Sequence, residues 1–319
     1  MDQAHAKNTR GVYSTAVNKF FQFNAYISVD YCRIISPVNR FLLFIVYLSH
    51  ICNLKHSTIK VYAAAVRNWH IRNGLTDPAL VKGIKNPSLS LLMRGIKRNQ
   101  ALQGNRERHP LTIEKLGLVL KAATWLGLSF AASLELKAAL LIGFWGFMRS
   151  AEFCSHDDGT SCLKNKNVTV HVLADGTEYL MLLLTSTKTN QFKPTPVYIY
   201  ANNSSLCAVR AVKLYNKLVI RQFCDPEGPF LSTGVLVLTA KKFNALFKLA
   251  VGKAGLDKTK FSAHSLRSGA ATTAANSGVA PYLIKQLGRW KSDCYNIYIK
   301  EPVTAIKGAQ SSMVVGGRV

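Results

Sequence analysis

The stretch from His264 to Tyr298, HSLRSGAATTAANSGVAPYLIKQLGRWKSDCYNIY, holds most of the side chains that distinguish this chain from an ordinary helical protein. His264 and Arg267 are three residues apart, so on a helix they share one face and can address the same anion. Trp290 offers an indole N–H, which donates hydrogen bonds and cannot accept them. Tyr298 supplies a phenol. Together these groups suit the binding of a phosphate and its attack by the phenol oxygen.

Two further cations that such a site needs lie upstream. Arg149 stands in GFMRSAE (146–152), and Lys188 stands in a short TKT sequence. A planar guanidinium makes bidentate contacts with phosphate and stays charged, so Arg149 and Arg267 could hold both non-bridging oxygens. Glu152 lies one helical turn after Arg149 and could orient its guanidinium. Lys188, predicted in a turn between two strands, is a candidate general acid for the leaving oxygen.

Each of these residues has an ordinary structural explanation when it is considered alone. An arginine paired with a glutamate one turn away, as Arg149 is with Glu152, is a common structural arrangement. Trp290 alone would be interpreted as a core aromatic residue, and Lys188 alone as a solvated turn lysine. The order and spacing of the whole set therefore carry the functional interpretation.

Two tyrosines could supply the attacking oxygen: Tyr295, five residues after Trp290, and Tyr298, eight residues after it. The ordinary pKa of tyrosine is about 10, so most of the phenol is neutral at physiological pH. Surrounding cations are expected to favour the phenolate and so to activate it. On a helix both tyrosines would face roughly the same way, so spacing alone leaves the choice open.

These motifs resemble those of the tyrosine recombinase (phage integrase) family over roughly residues 111–300, and the helical N-terminal part is more loosely similar to the family's core-binding domain. The sequence GRWKSD (288–293), followed by YIK (298–300), is most similar to recombinases of the eukaryotic Crypton, DIRS and Ngaro mobile elements. The Trp-to-Tyr distance of eight residues departs from many bacterial and phage members, which have one residue more. By position, the resemblance assigns Arg149 and Arg267 as the catalytic arginines and Lys188 as the β-hairpin lysine. It assigns His264 as the histidine of the His-x-x-Arg pair and places Trp290 at the His-or-Trp position. It assigns Tyr298 as the nucleophile and Glu152 as a supporting residue.

The resemblance implies a site-specific recombinase or transposase that cuts and rejoins double-stranded DNA without a metal, ATP or any other cofactor. In that mechanism Tyr298 forms a 3′-phosphotyrosine and releases a 5′-hydroxyl. A dimer binds one site, and a tetramer pairs two sites and passes through a Holliday junction. Three alternatives stay open here: a type IB topoisomerase that relaxes DNA, a domesticated DNA-binding protein that lost its activity, and a basic helical protein unrelated to DNA.

The charge of the chain fits a nucleic-acid partner. Its 319 residues carry a net charge of +25. Residues 1–110 hold 16 Lys and Arg against 4 Asp and Glu, and residues 111–319 hold 25 against 12, so the charge is not confined to a tail. The sequence has no apolar run long enough to predict a membrane span. The seven cysteines are scattered and lack the paired Cys-x-x-Cys signature of a zinc site. Their scattered placement fits reduced thiols in an intracellular protein, which is expected to be nuclear if it derives from a eukaryotic mobile element.

Hydrophobic spacing and turn signals predict a mostly α-helical fold with two domains. Four helices in residues 1–99 form a basic DNA-binding domain, the second of them beginning at Ser36-Pro37, and the polar, basic segment 100–110 is a linker. The small residues 268–271 after Arg267 are expected to let that helix approach its neighbour closely. Residues 111–300 form an α+β catalytic domain with a small antiparallel sheet, for which Ala174-Asp175-Gly176 is a hairpin signal. The tail, 301–319, is apolar for a chain end and is expected to dock, either on a neighbouring subunit or on its own core.

Overall fold

In the computed structural model the chain forms two compact units, residues 1–106 and residues 107–319. The structure describes residues 7–27, 35–102, 107–161, 163–185, 193–220, 225–234 and 236–298. Each unit has its own cluster of buried apolar side chains. None of the described helices is long and apolar enough to cross a membrane.

The first unit is helical, with one short antiparallel β-ribbon. The Ser-Pro sequence begins its second helix as predicted. The side chain of Ser36 accepts a hydrogen bond from the backbone N–H of Asn39 at 3.3 Å, and Pro37 occupies the first helical position, where no N–H partner is lost. In chain order the elements are α1 (Lys7–Tyr26), α2 (Pro37–His50), α3 (His56–Arg72), β1 (Leu80–Val81), β2 (Ile84–Lys85) and α4 (Pro87–Leu102).

Aromatic side chains pack with aliphatic ones in the core of the first unit. The rings of Phe20 and Phe44 meet edge to face with centroids 5.1 Å apart, and this contact joins α1 to α2. His70 of α3 packs against Phe20 at 5.6 Å, while its Nδ1 lies 2.8 Å from the carbonyl oxygen of Val66. Edge-to-face pairs contribute about 0.5–1.5 kcal/mol beyond the area that they bury.

Helix α4 continues to Leu102, past Gln100, where the sequence predicts the start of a linker. The physical reason is a side-chain bridge to the start of α3. Gln100 Oε1 accepts a hydrogen bond from the backbone N–H of His56 at 2.6 Å, and Gln100 Nε2 donates to the carbonyl of Leu54 at 2.8 Å. The bridge satisfies an N–H at the first turn of α3, which has no partner within its own helix, and it fastens the last turn of α4.

The second unit packs helices around one small sheet, and the predicted fold class, mostly α with a small antiparallel sheet, is confirmed. Short 3₁₀ or π turns connect several of its elements. In chain order these are α5 (Ile113–Ala123), α6 (Phe130–Trp145), α7 (Ser150–Phe153), a 3₁₀ turn (Asn165–Asn167), β3 (Val168–Val172), β4 (Glu178–Leu184), β5 (Thr195–Tyr200), α8 (Ala208–Tyr215), a π turn (Asn216–Ile220), α9 (Ala240–Lys253), α10 (His264–Asn276), α11 (Pro281–Leu287) and a 3₁₀ helix (Asp293–Tyr298).

Strands β3, β4 and β5 form one antiparallel sheet in that order. The predicted hairpin joins the first two strands. Gly176 in its turn has a φ of 83°, a conformation that glycine adopts without steric cost, and Val168 pairs with Leu182 across the ladder. Alternate residues of β4, Leu180, Leu182 and Leu184, are fully buried, so one face of the sheet packs on the core.

Helix α10, which begins at His264, runs through the core of the second unit. Its small residues permit close packing, as predicted. A Cβ atom on Gly269 would lie 1.8 Å from the carbonyl oxygen of Leu111, so a larger residue cannot fit without displacing the backbone. The backbone N–H of Leu111 also donates to the carbonyl of Ser265 at 2.9 Å. These backbone contacts fix the N-terminal half of α10, from which the candidate site is built.

Candidate active site

The candidate site is assembled from three segments that are distant in sequence: the start of α7, the first turn of α10 and the residues after α11. Lys188 lies outside the described residues. Within the part of the chain that the structure describes, no group of three or more His, Cys, Asp or Glu side chains is arranged to hold a metal ion. The predicted site residues that the structure brings together are Arg149, Glu152, His264, Arg267, Trp290 and Tyr298.

Arg267 is fully buried, and it is the largest side chain of which this is true among the described residues. Its Nη1 donates to the carbonyl of Phe147 at 2.8 Å, and its Nη2 donates to the carbonyl of Gly288. The guanidinium carbon lies 4.4 Å from the ring centroid of Trp290. Burial, and then the charge of Arg149, lower the pKa of Arg267 to about 10, so it stays protonated at neutral pH. Its buried Nε–H has no hydrogen-bond partner.

Glu152 is the buried counter-charge of the site, with a side chain only 4% exposed. Its Oε1 accepts from Arg149 Nη1 at 2.8 Å, which confirms the predicted pairing. Its Oε2 accepts from Arg289 Nη2 at 2.8 Å and from the backbone N–H of Arg149 at 3.0 Å. Burial alone would raise the pKa of Glu152, but the two arginines outweigh it and hold that pKa below 4.5. Glu152 is therefore an ionised carboxylate that binds two guanidinium groups.

The turn Gly288-Arg289-Trp290 brings two side chains into the site. A Cβ atom on Gly288 would lie 1.8 Å from a ring carbon of Trp290, so the position of the indole requires glycine at residue 288. Arg289 has a φ of 54°, the left-handed region that residues with a Cβ seldom occupy. From this turn Arg289 reaches Glu152 while Trp290 packs on Arg267.

Sequence reasoning gave Arg289 no role of its own. Its ion pair with Glu152 spans 137 residues, so neither helical spacing nor local charge pattern reveals it. The available signal was its place between Gly288 and Trp290, within the motif that carries the resemblance.

The hydroxyl oxygen of Tyr298 lies 2.9 Å from Nε2 of His264, at hydrogen-bond distance. The backbone of Tyr298 is held as well, because Thr272 Oγ1 donates to its carbonyl at 3.2 Å. Both His264 and Thr272 belong to α10, so one helix fixes the phenol at two points. The ring of Tyr298 also lies beside Trp290, with centroids 6.0 Å apart.

The charges around Tyr298 do not make it acidic. Partial burial raises its pKa above 10.0, although Arg267 and Arg149 act in the opposite direction. The surrounding cations favour the phenolate, as expected, but loss of hydration outweighs them in this state, so the net pKa of Tyr298 is raised. At His264, loss of hydration around the ring, then Arg267 and Arg149, lower the pKa below 6.5. The imidazole is consequently neutral at physiological pH and can accept the proton of the phenol.

Tyr295 occupies a different environment from Tyr298. It is buried, at 7% exposure, with its ring 6.0 Å from Trp290 and with Lys285 Nζ 6.0 Å from its centroid. The two tyrosines are one 3₁₀ turn apart, so both rings adjoin the same indole. Of the two, Tyr298 is the one whose hydroxyl contacts His264.

Comparison with known proteins identifies the fold. No family model and no curated protein matches the sequence. Several solved structures match most of the chain. The XerH site-specific recombinase, in a post-cleavage complex with a palindromic difH substrate, aligns over 94% of this chain and 78% of its own, with a TM-score of 0.65 and 18% identity. The chain has the fold of the tyrosine recombinases.

Two other solved structures have the same architecture. A lambda integrase dimer bound to a COC′ core site aligns over 94% of this chain and 73% of its own, with a TM-score of 0.57 and 14% identity. The Tn1549 transposon integrase, in complex with transposon right-end DNA, aligns over 87% of this chain and 85% of its own, with a TM-score of 0.55 and 14% identity. Identities this low establish a shared fold, so function has to be argued from the site itself.

Proposed function

We propose that the chain is a site-specific DNA recombinase or transposase that cuts and rejoins double-stranded DNA through a bond between Tyr298 and a 3′-phosphate. The observation that carries the proposal is the 2.9 Å contact between the Tyr298 hydroxyl and His264 Nε2, beside Arg267 and Arg149. A phenol, a neutral imidazole and two guanidinium groups in one place have the chemistry of phosphoryl transfer. The fold shared with DNA-bound recombinases and the net charge of +25 support a DNA substrate.

In the first step the Tyr298 oxygen attacks the scissile phosphorus, and its proton passes to His264 Nε2. As the Tyr–O–P bond forms, the bond from phosphorus to the 5′-oxygen breaks. Arg149 and Arg267 bind the non-bridging oxygens and stabilise the added charge of the transition state. Because Arg267 is fully buried, DNA binding has to open a path to its unpaired Nε–H.

The departing 5′-oxygen needs a proton, which the resemblance assigns to Lys188. The phosphotyrosine conserves the energy of the broken phosphodiester. A 5′-hydroxyl from a partner strand can therefore attack it, restore Tyr298 and seal the DNA without ATP. The two arginines supply the positive charge that a metal ion provides in other phosphoryl-transfer sites.

The finer features of the proposal rest on sequence. Residues 1–99 act as the core-binding domain, 100–110 as the linker and 111–300 as the catalytic domain, while the tail 301–319 docks on a neighbouring subunit. A dimer on each site and a tetramer in synapsis carry out two strand exchanges through a Holliday junction. The GRWKSD and YIK sequences support an origin in Crypton, DIRS or Ngaro elements, and hence action in a nucleus.

A nicked suicide substrate, from which the short 5′-hydroxyl fragment diffuses away, tests the proposal. Nicked duplexes covering the DNA that flanks the gene are incubated with the protein and resolved on denaturing gels. Unmodified protein should become covalently linked to DNA. Tyr298→Phe should bind DNA with unchanged affinity and form no adduct, whereas the matched control Tyr295→Phe should still form one.

Two results would revise the proposal. An adduct with Tyr298→Phe, together with none for Tyr295→Phe, would assign the nucleophile to the other tyrosine. Relaxation of supercoiled DNA without strand exchange would favour a type IB topoisomerase over a recombinase.

A further inference from the structure

We propose that Arg289 is a positioning residue: through Glu152 it holds the Arg149 guanidinium where the scissile phosphate binds. The inference rests on the proposed function and assigns a task to a residue that sequence reasoning left without one. Arg289 itself does not contact the substrate. It acts on the carboxylate that contacts Arg149, and on the backbone that precedes Arg149.

The carboxylate of Glu152 links the two arginines. Arg149 and Arg289 bind opposite oxygens of the same carboxylate, each at 2.8 Å. With both oxygens engaged, the carboxylate cannot rotate without breaking the bond to Arg289. Loss of Arg289 would leave Oε2 with the backbone N–H of Arg149 as its one remaining donor, and the carboxylate, which is almost fully buried, would be short of one cation. Glu152 would then reorient, and Arg149 would follow it.

Arg289 also contacts the backbone that precedes Arg149. Arg289 Nη1 donates to the carbonyl of Gly146 at 3.0 Å. The next residue, Phe147, has a left-handed φ of 48°, and its carbonyl accepts from Arg267. The segment from Gly146 to Arg149 therefore takes hydrogen bonds from two arginines on other elements. Arg289 secures one end of a short backbone segment on which both catalytic arginines depend.

A direct role in phosphate binding fits Arg289 less well. Its side chain is 15% exposed, against 26% for Arg149. Both of its Nη groups donate to protein oxygens, on Gly146 and Glu152. Among the hydrogen bonds of the described residues, the Arg149 guanidinium uses Nη1 alone. Arg149 thus keeps donors for a phosphate, while both Nη groups of Arg289 are directed into the protein. Both Nη groups of Arg267 are engaged as well, so its proposed contact with the phosphate relies on its unpaired Nε–H.

The backbone conformation of Arg289 permits a substitution that removes its side-chain contacts and keeps the turn. A φ of 54° suits asparagine, which tolerates the left-handed region, and asparagine is too short to reach Glu152. Arg289→Asn should therefore keep the turn and lose both contacts. Arg210→Asn is a matched control in the same unit, because Arg210 Nη2 also donates to backbone carbonyls, of Asn202 and Ser204, away from the site.

The test measures single-turnover adduct formation at saturating DNA on two suicide substrates. One has a normal scissile phosphate. The other has a methylphosphonate there, in which a methyl group replaces one non-bridging oxygen and removes the charge that an arginine neutralises. On the phosphate, Arg289→Asn should slow adduct formation by about 10- to 100-fold, as expected for a misplaced catalytic group, with little change in DNA affinity. On one methylphosphonate diastereomer the deficit should shrink towards that of Arg210→Asn.

A merely structural role predicts something else: an equal deficit on the phosphate and on both methylphosphonate diastereomers. That result would overturn the inference, as would a phosphate rate equal to that of Arg210→Asn. If Arg289→Asn does not fold, Arg289→Lys replaces it in the test. Lysine keeps the charge but cannot bind Gly146 and Glu152 at the same time as a planar guanidinium does. The same selective deficit in adduct formation is expected for Arg289→Lys, but smaller. If unmodified protein forms no adduct with either substrate, the proposed function itself fails, and the inference fails with it.

Discussion

Two ionisable side chains buried in the second unit, Arg267 and Glu135, have very different surroundings. Arg267 donates to two backbone carbonyls and packs on Trp290, and its pKa of about 10 keeps it charged at neutral pH. Glu135 of α6 is 6% exposed, and its Oε1 has no hydrogen-bond partner. Burial raises the pKa of Glu135 from 4.5 to about 8, despite the opposing charge of Lys242, so at pH 7 most of it is protonated.

The comparison separates a charge that the fold preserves from one that it neutralises. A buried ion is costly unless partners replace its hydration, and a group without such partners changes its protonation state instead. Around Arg267 the chain supplies oxygens, an aromatic face and a nearby carboxylate. Beside Glu135 lie Cys154 and Tyr215, whose pKa values burial raises first and the Glu135 charge raises further. A permanently charged Arg267 is what phosphate chemistry requires, whereas a neutral Glu135 is compatible with a core position.

The largest effect is expected from Arg267→Ala. It removes a preorganised donor from the transition state, so the rate of adduct formation on a suicide substrate should fall by about 100- to 1,000-fold. Arg267→Lys should be nearly as impaired, because an ammonium group cannot bind two carbonyls and a phosphate in the same plane. Glu135→Gln is the matched control and should cleave at the unmodified rate. If Arg267→Ala cleaved as well as Glu135→Gln, the contrast between the two buried groups would have no functional meaning.

Lys188, the proposed general acid, would have a task opposite to that of Arg267, since a general acid has to release its proton. Lys188→Ala should slow cleavage of normal DNA by about 100-fold. A substrate with sulfur in place of the 5′-bridging oxygen should restore much of the rate, because a thiolate leaves without protonation. Arg267→Ala on the same sulfur substrate is the control and should stay impaired. Equal rescue of both variants would mean that Lys188 does not protonate the leaving group.

Glu135→Gln should change stability in a pH-dependent way. Between pH 4.5 and about 8 the unfolded chain releases the Glu135 proton while the folded chain keeps it, so the free energy of unfolding falls by about 1.4 kcal/mol per pH unit from this group. Glutamine cannot titrate, so the variant should gain stability relative to unmodified protein as the pH rises from 5 to 8. Urea unfolding at both pH values measures the difference. A stability difference that does not vary with pH would show that Glu135 titrates normally.

Much of the fold could be predicted because its signals are local. The Ser36-Pro37 helix start, the hairpin at Gly176 and the close packing at Gly269 each depend on neighbouring residues and on backbone sterics. Contacts between distant segments could not be predicted in this way. The Gln100 bridge that lengthens α4 is an example, because it depends on the tertiary placement of α3.

The same difference between local signals and contacts of distant segments applies to the candidate site. Arg149, Arg267 and Tyr298 were found because their spacing matches a known motif. The place of Arg289 and the raised pKa of Tyr298 were not, because both follow from burial and from partners that only the folded chain brings together. The spacing also could not choose between Tyr295 and Tyr298, whereas the contact of Tyr298 with His264 distinguishes the two.

The identity of the residue that becomes linked to DNA decides whether Tyr298 is the nucleophile. Unmodified protein is trapped on a nicked suicide substrate, the adduct is digested with protease and nuclease, and the modified peptide is sequenced by mass spectrometry. A nucleotide 3′-phosphate is expected on the Tyr298 hydroxyl in every adduct. A modified Tyr295, or a modified serine or cysteine with Tyr298 unchanged, would contradict it.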